Sequence, residues 1–267
     1  MAANQTKKDE QVCCVKLQET DLGLETMAEA PLIKGVSWEI GSGEFWVVGG
    51  MHRSGKSTLL STLGMLQKPL SGRMELFGVN PWGADGANLM KQRLRVGMVF
   101  EAGARLLHKL TVLENIALPI CYHRDCRLDE ARERMDELLK FAGIEDLTNE
   151  LPGELSRTYR QRVNLARALS LSPEVLLLDN PLSGVDLSEQ QWWQDVVAKL
   201  WQGHAISGNK PMTIVIVTNH LTPWVEQGRN FALLHDKSWR QIGGMAELDA
   251  CDEPWLRDVL GERKMTE

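Results

Sequence analysis

The clearest pattern along the chain is a set of short apolar runs bounded by turn formers. Phe45, Trp46, Val47 and Val48 form one between glycines, as suits a strand covered on both faces. Residues 175–178 form a second, ended by Asp179, and residues 212–218, rich in Ile and Val, a third. Between them the apolar spacing becomes helical. Leu59, Leu63 and Leu66 share one helical face, and so do Ala131, Met135, Leu138 and Leu139, with Gly143 placed to end that helix. Residues 159–171 predict a further helix, stopped before Pro173. Ser188 and Gln191 have the spacing of a capping box, with Leu187 placed to staple onto Trp192. Residues 12–48, with turn signals at 21–23 and 41–43, read as strands. Buried strands alternating with helices predict an α/β core with a parallel sheet. The stretch of about 102–160 interrupts the alternation and predicts an inserted helical subdomain. The expected division is a disordered polar tail at 1–11, a main domain at 12–243 and a C-terminal extension at 244–267, within which residues 254–262 predict a short docking helix.

Composition narrows this only a little. A chain of 267 residues, 43% hydrophobic and 25% charged, is ordinary for a globular protein with a sizeable core. A net charge of −6 argues against bulk attraction to nucleic acid, so no nucleic-acid partner is expected. The five cysteines, Cys13, Cys14, Cys121, Cys126 and Cys251, are odd in number and read as free thiols of a cytosolic compartment. No secretory signal and no apolar stretch of ~18 residues is found, so at a membrane other subunits would supply the spans. Of nine tryptophans, Trp192, Trp193 and Trp201 fall on one helix with Val196, Val197 and Leu200 and are expected mainly in the core. Trp192 and Trp193 point about 100° apart, leaving one of them for a partner. Trp82, Trp239 and Trp255 lie near polar loops and are expected as partner contacts.

The chemistry starts at Gly50-Met-His-Arg-Ser-Gly55-Lys56-Ser57, a full match to the phosphate-binding P-loop pattern. Backbone N–H groups of Gly50, Arg53, Ser54 and Gly55 suit a nest for a β-phosphate, and the start of the next helix, through Thr58, adds its dipole. Lys56 suits a point charge between β- and γ-phosphates, and the Ser57 hydroxyl suits Mg²⁺. The required strand before and helix after are both present. Asp179, ending the second apolar run, has the position of an aspartate that holds Mg²⁺ through water. The cofactors expected are therefore ATP and Mg²⁺.

The order of landmarks then resembles the ATP-binding-cassette (ABC) ATPase family from about residue 17 to 243. Val96 to Glu101 is similar to the strand and Q-loop. Leu155, Ser156, Arg157, Thr158 and Tyr159, then 161–169, resemble the signature motif and its helix. Ser183-Gly-Val-Asp186 resembles the D-loop, and Thr218-Asn219-His220 lies where the switch histidine is expected. Residues 100–107 and 110–119 are similar to the ATPase subunits of MCE-type lipid transporters, a pattern partly shared with lipoprotein-release and importer-type ATPases. The resemblance implies a P-loop NTPase core with a parallel sheet, an N-terminal antiparallel β lobe and the helical insert.

Several family positions are altered. The general-base glutamate after the Mg²⁺ aspartate is Asn180, which cannot accept a proton from water but can orient one. Loss of a general base typically costs ~10²–10⁴ in rate. The Q-loop glutamine is Glu101, whose carboxylate could ligate Mg²⁺, substitute as a base, or repel the γ-phosphate. The signature glycines, which in the family approach ATP on the opposing subunit, are Arg157 and Thr158, while Ser156 is kept; Arg157 could serve as a charged phosphate ligand. Asn219 occupies the switch position, with His220 one residue later. No aromatic stands where the family stacks adenine, the local candidates being Leu22 and Leu24, and Arg53 replaces a common glycine.

Three functions stay open on these grounds. One is a transporter subunit that binds Mg-ATP, pairs head to tail with another nucleotide-binding subunit, a heterodimer being favoured, and docks on a membrane permease from the cytoplasmic face, with weak hydrolysis. Another is a soluble ATP-sensing protein without a permease. The last is an active ATPase in which Glu101 and His220 replace the missing groups.

Overall fold

The computed structural model describes residues 13–24, 31–83, 86–101, 106–251 and 255–260. The expected tail at 1–11, the 102–105 part of the segment after Glu101, and residue 254 and residues 261–262 of the expected docking helix lie outside them.

In chain order the elements are β1 (Cys13–Leu22), β2 (Ile33–Gly41), β3 (Phe45–Gly50), α1 (Lys56–Leu63), β4 (Ser71–Leu76), α2 (Gly86–Arg93), β5 (Val96–Val99), α3 (Val112–Arg124), α4 (Arg132–Ala142), α5 (Arg157–Leu169), β6 (Val175–Asp179), α6 (Leu187–Gln202), β7 (Thr213–Thr218), β8 (Asn230–His235), β9 (Ser238–Gly243), α7 (Met245–Asp249) and α8 (Leu256–Leu260). The strands form one sheet in the order β4-β1-β2-β9-β8-β3-β7-β6-β5. From β8 to β5 neighbouring strands run parallel. At the other end β1 pairs antiparallel with both β2 and β4, and this three-stranded edge meets the rest through the single parallel bridge Lys34–Ser238.

Every residue of β3, β6 and β7 is buried. Alternation divides their side chains between two cores. Val47, Leu176, Leu178, Ile214 and Ile216 face α3, α4, α5 and α6, while Val48, Val175, Leu177, Val215 and Val217 face α1 and the antiparallel edge. Each fully covered Val, Leu or Ile is worth about 2 kcal/mol relative to exposure, so the register of these strands is strongly specified. α1 presents Leu59, Leu60 and Leu63 to the second core; Leu66, expected on that face, lies past the end of the helix and is 43% exposed.

Between β5 and β6 the chain is helical. α3 opens on a capping box, Thr111 Oγ1 accepting from the Glu114 N–H at 3.2 Å and Glu114 Oε2 from the Thr111 N–H at 2.8 Å. Buried Asn115 ties down the preceding loop, donating to the Leu107 and Leu110 carbonyls at 3.1 and 2.9 Å. α4 ends at Gly143 (φ 62) as its spacing predicts.

The tryptophans mostly pack within the chain. Trp38 is fully buried between Trp46, at a centroid distance of 5.2 Å, and Trp239, at 4.7 Å. Trp82 packs on the same core, and Trp255 stacks on His235 at 4.3 Å, so the three tryptophans expected at a partner also make contacts within the chain and are each partly buried. Trp193 is fully buried, whereas Trp192 lies under a guanidinium, with Arg162 Cζ 4.1 Å from its ring. The same Arg162 makes a two-pronged ion pair with Glu189, Nε to Oε1 at 3.0 Å and Nη2 to Oε2 at 2.6 Å. It joins α5 to α6 with side chains only 17% and 6% exposed. Removing one partner strands the other charge in a dry site. Glu189→Ala is therefore expected to lower stability by about 3 kcal/mol in urea unfolding; a loss below about 0.5 kcal/mol, the level of a surface pair, would show the bridge to be solvated.

Candidate functional site

The parallel ladder brings three strand ends to one edge. Gly49 of β3 lies opposite Thr218 of β7, and Val217 of β7 lies opposite Asp179 of β6. Glu101 stands two residues past the end of β5 on the far side of β6. Beyond β3 the chain turns sharply into α1. A Cβ at Gly50 would sit 2.6 Å from Ser54 Oγ and 2.8 Å from the Leu234 carbonyl oxygen, so no side chain fits there. Arg53 and Gly55 both take positive φ, 64° and 97°. For Arg53 that conformation costs roughly 1–2 kcal/mol, a strain a glycine would not carry.

α1 begins at Lys56 with Gly55 as its N-cap, which has no side chain to bond the first turn. Its first N–H groups are thereby left for an anionic ligand. Lys56 is buried, its Nζ donating to the carbonyls of Gly50 at 2.7 Å and Met51 at 2.6 Å and to Ser54 Oγ at 3.3 Å. Burial pushes its pKa down to about 8, against the opposing pull of the Asp179 and Glu101 charges. Burial likewise raises the pKa of Asp179; a hydrogen bond from Ser57 opposes the rise, the Glu101 charge adds to it and Lys56 lowers it. The Ser57 hydroxyl and the Asp179 carboxylate thus sit together as an all-oxygen pair, the donor type Mg²⁺ takes. Thr58 comes next on the helix, half-buried, its carbonyl accepting from Thr62 Oγ1 at 3.0 Å.

The two altered positions 101 and 180 meet. Asn180 is buried and left-handed at φ 46, a conformation asparagine tolerates. Its N–H donates to the Val217 carbonyl at 2.8 Å, and its Nδ2 donates to Glu101 Oε1 at 3.0 Å. Glu101 in turn is close enough to Lys56 and Asp179 for its charge to bear on both.

Elsewhere the candidates divide. Ser156 is the N-cap of α5, its Oγ accepting from the Tyr159 N–H at 3.3 Å. Arg157 turns onto its own chain: Nη2 donates to Ser183 Oγ at 3.2 Å, and its guanidinium covers Gly184, where a Cβ would lie 2.9 Å from Nη1. Thr158, half-buried, is next along the helix. Asp186 caps α6, Oδ1 accepting from the Glu189 N–H at 2.9 Å and from Ser188 Oγ at 2.7 Å. The helix therefore starts earlier than the Ser188–Gln191 box predicts, because Asp186 and Glu189 carry the same spacing two residues upstream, and Leu187 is 81% exposed rather than stapled. Asn219 is half-buried and His220 exposed just past β7, in a turn where the His220 N–H donates to Thr218 Oγ1 at 3.1 Å. Of the two leucines considered for adenine, Leu22 is fully buried in the core and Leu24 is 46% exposed.

Three participants are not visible as such in the sequence. Met51 acts through its carbonyl, which no side-chain pattern reveals. Ser183 reads only as part of a loop, and its pairing with Arg157 spans 26 positions. Gln161 reads as one helical residue among others, yet it is buried and donates to the Pro181 carbonyl at 3.4 Å, in the loop after Asn180. Its signal is an amide on the inward face of an amphipathic helix.

Comparison with known proteins agrees with this fold. A family model described as ABC transporter matches residues 33–183. The methionine import ATP-binding protein MetN of Lactobacillus delbrueckii subsp. bulgaricus is 34% identical over 199 residues, 73% of this chain and 54% of that protein. MetN 2 of Salmonella typhimurium is 36% identical over 186 residues, 70% of this chain and 53% of that protein. The chain thus spans about half the length of these curated relatives. Among solved structures, the dimeric post-hydrolysis state of the ATP-binding cassette MJ0796 bound to ADP and Pi superposes with a TM-score of 0.76 at 31% identity, covering 86% of this chain and 98% of that one. CbiO1 from Clostridium perfringens, part of the ABC transporter complex cbiONQ, gives a TM-score of 0.73 at 25% identity, covering 90% and 92%. The expected α/β fold with a P-loop core is borne out by these likenesses. With the family model spanning more than half of the sequence and the phosphate loop lying inside it, the chain belongs to the ABC transporter family.

Proposed function

We propose that this chain is the ATP-binding subunit of an ABC transporter, in which Mg-ATP binding closes a pair of nucleotide-binding subunits and the closure is passed to a membrane permease. The observation that carries the reading is the phosphate loop: an uncapped helix start and a buried Lys56 ammonium set beside the Ser57–Asp179 oxygen pair. In this reading Gly50, Arg53, Ser54, Gly55, Lys56 and Thr58 hold the phosphates, and Ser57 and Asp179 hold Mg²⁺. The proposed domain division has residues 12–243 as the nucleotide-binding domain, the helical insert at about 102–160 and the C-terminal extension from 244.

Among the described residues no helix is long and apolar enough to cross a membrane, so the permease is a separate chain or segment in this reading, with the cassette on its cytoplasmic side. The relatives named for methionine import support an import system. Lipid as cargo has the pattern at 100–107 and 110–119 as its support, and its 102–105 portion lies outside the described residues.

The partner we propose is a second, different cassette. Position 180 carries an amide, and Arg157, at the position that would face the opposing ATP, is engaged with Ser183 and Gly184 of its own chain. A homodimer would carry both alterations at both sites; a heterodimer dilutes them. A second reading, a working ATPase, is favoured by the hydrogen bond between Asn180 and Glu101.

Fluorescent-nucleotide titration should show saturable Mg-ATP binding that Lys56→Ala abolishes, together with turnover about 10²–10⁴ below that of a cassette with a carboxylate at position 180; no binding by the unaltered protein would sink the reading. Because Lys56 loses its proton as pH rises through about 8, while bound phosphate favours the ammonium, ATP affinity should fall about tenfold between pH 7 and 9. Calorimetry in two buffers should also record proton uptake on binding near pH 8, and zero uptake would mean that Lys56 stays charged throughout. Arg157→Gly should release the 183–186 loop, raising its amide exchange roughly tenfold, the equivalent of one hydrogen bond from a charged donor; unchanged exchange would mean that the contact holds nothing in place.

A further inference from the structure

Resting on the nucleotide-binding reading above, we infer that Glu101, held by Asn180, supplies the carboxylate that orients the attacking water for ATP hydrolysis. Asp179 and Glu101 lie close enough to Lys56 for their charges to bear on it, Asn180 joins the group through Glu101, and the tasks of the three are separable. Asp179 takes the hydrogen bond of Ser57 and so belongs to the metal side of the site. Asn180 is fixed by its backbone, N–H to the Val217 carbonyl at 2.8 Å, and by a positive φ of 46°, and it spends its amide on one oxygen of Glu101 at 3.0 Å. Among the described residues no hydrogen bond engages the other Glu101 oxygen, Oε2, and in this inference it is the acceptor for the water, on a carboxylate whose charge bears on both Lys56 and Asp179.

An amide donating to a carboxylate points that carboxylate without neutralising it, so Asn180 acts as the positioning residue and Glu101 as the group that touches the reacting water. In the hydrolytic step the water oxygen bonds to the γ-phosphorus, and the bond from that phosphorus to the β–γ bridging oxygen breaks, its electron pair leaving with ADP. One water proton stays on the new phosphate, and the other passes through the Glu101 carboxylate to solvent. Carboxylate and amide would thereby have exchanged places between positions 101 and 180 while keeping the same pair of groups at the site.

The test uses the full chain with Glu101→Gln, and with the exchanged pair Glu101→Gln/Asn180→Glu. Binding of a non-hydrolysable ATP analogue with Mg²⁺ is the control for folding and for the nucleotide site, and Glu101→Gln should leave it within about threefold. Affinity for ADP with aluminium fluoride, which mimics the in-line transition state, should fall at least about tenfold, and Lys56-dependent turnover should fall with it. The exchanged pair should recover both. Unchanged or faster turnover in Glu101→Gln would overturn the inference, marking Glu101 as a bystander that repels the phosphate. A parallel loss of Mg-dependent analogue binding would overturn it in favour of a metal ligand. Analogue binding by the unaltered protein with no Lys56-dependent turnover would overturn it too, leaving the nucleotide-binding reading intact.

Discussion

The candidate site depends on the side-by-side pairing of β6, β7 and β3. Their ladder places Asp179 opposite Val217 and Thr218 opposite Gly49, so the phosphate loop, the acidic strand end and the turn at Asn219 and His220 emerge together. The register cannot slip by one residue without moving Val48, Leu177 and Val215 into the wrong core, which is a cost no turn sequence could offset. The site is thus held by side chains that never touch it. The edge strands β1, β2 and β4 share the second core but pair with the rest of the sheet by one bridge, and they carry Leu22 and, just beyond it, Leu24.

At the site itself stability yields to chemistry. A lysine is buried against backbone carbonyls and two acidic neighbours, and Arg53 and Asn180 hold left-handed backbone. Buried charges and positive φ angles of this kind persist only where the surrounding structure over-determines them. The two cores on either side of β3 supply that rigidity, and α1 cannot back away from the loop because Leu59, Leu60 and Leu63 anchor it in one of them.

Much of this is legible in the sequence where the signal is local. A strand buried on both faces is a run of apolar residues, so β3, β6 and β7 stand out at nearly their observed bounds, and the glycines and lysine of the phosphate loop reflect what a backbone must do around a phosphate. Gly143 ends α4 for the same local reason. The features that escape are long-range. Nothing near Arg157 says that its guanidinium will lie on Gly184, and nothing near Glu101 says that it will meet Asn180, 79 positions away. Trp82 and Trp239 sit beside polar residues in sequence, and only the sheet order folds them onto one core. The start of α6 misleads because two overlapping cap patterns compete there, and Asp186 prevails by reaching the Glu189 N–H.

Two fastenings tie α5 to the segment beyond the acidic strand. Arg157 grips Ser183 at the head of the helix, and one and a half turns further Arg162 grips Glu189 at the start of α6. Two separated points of attachment remove rotation as well as sliding. The helix and the 183–189 stretch are therefore pinned at both ends of the span that holds Asp186, an arrangement that favours their moving as one crank.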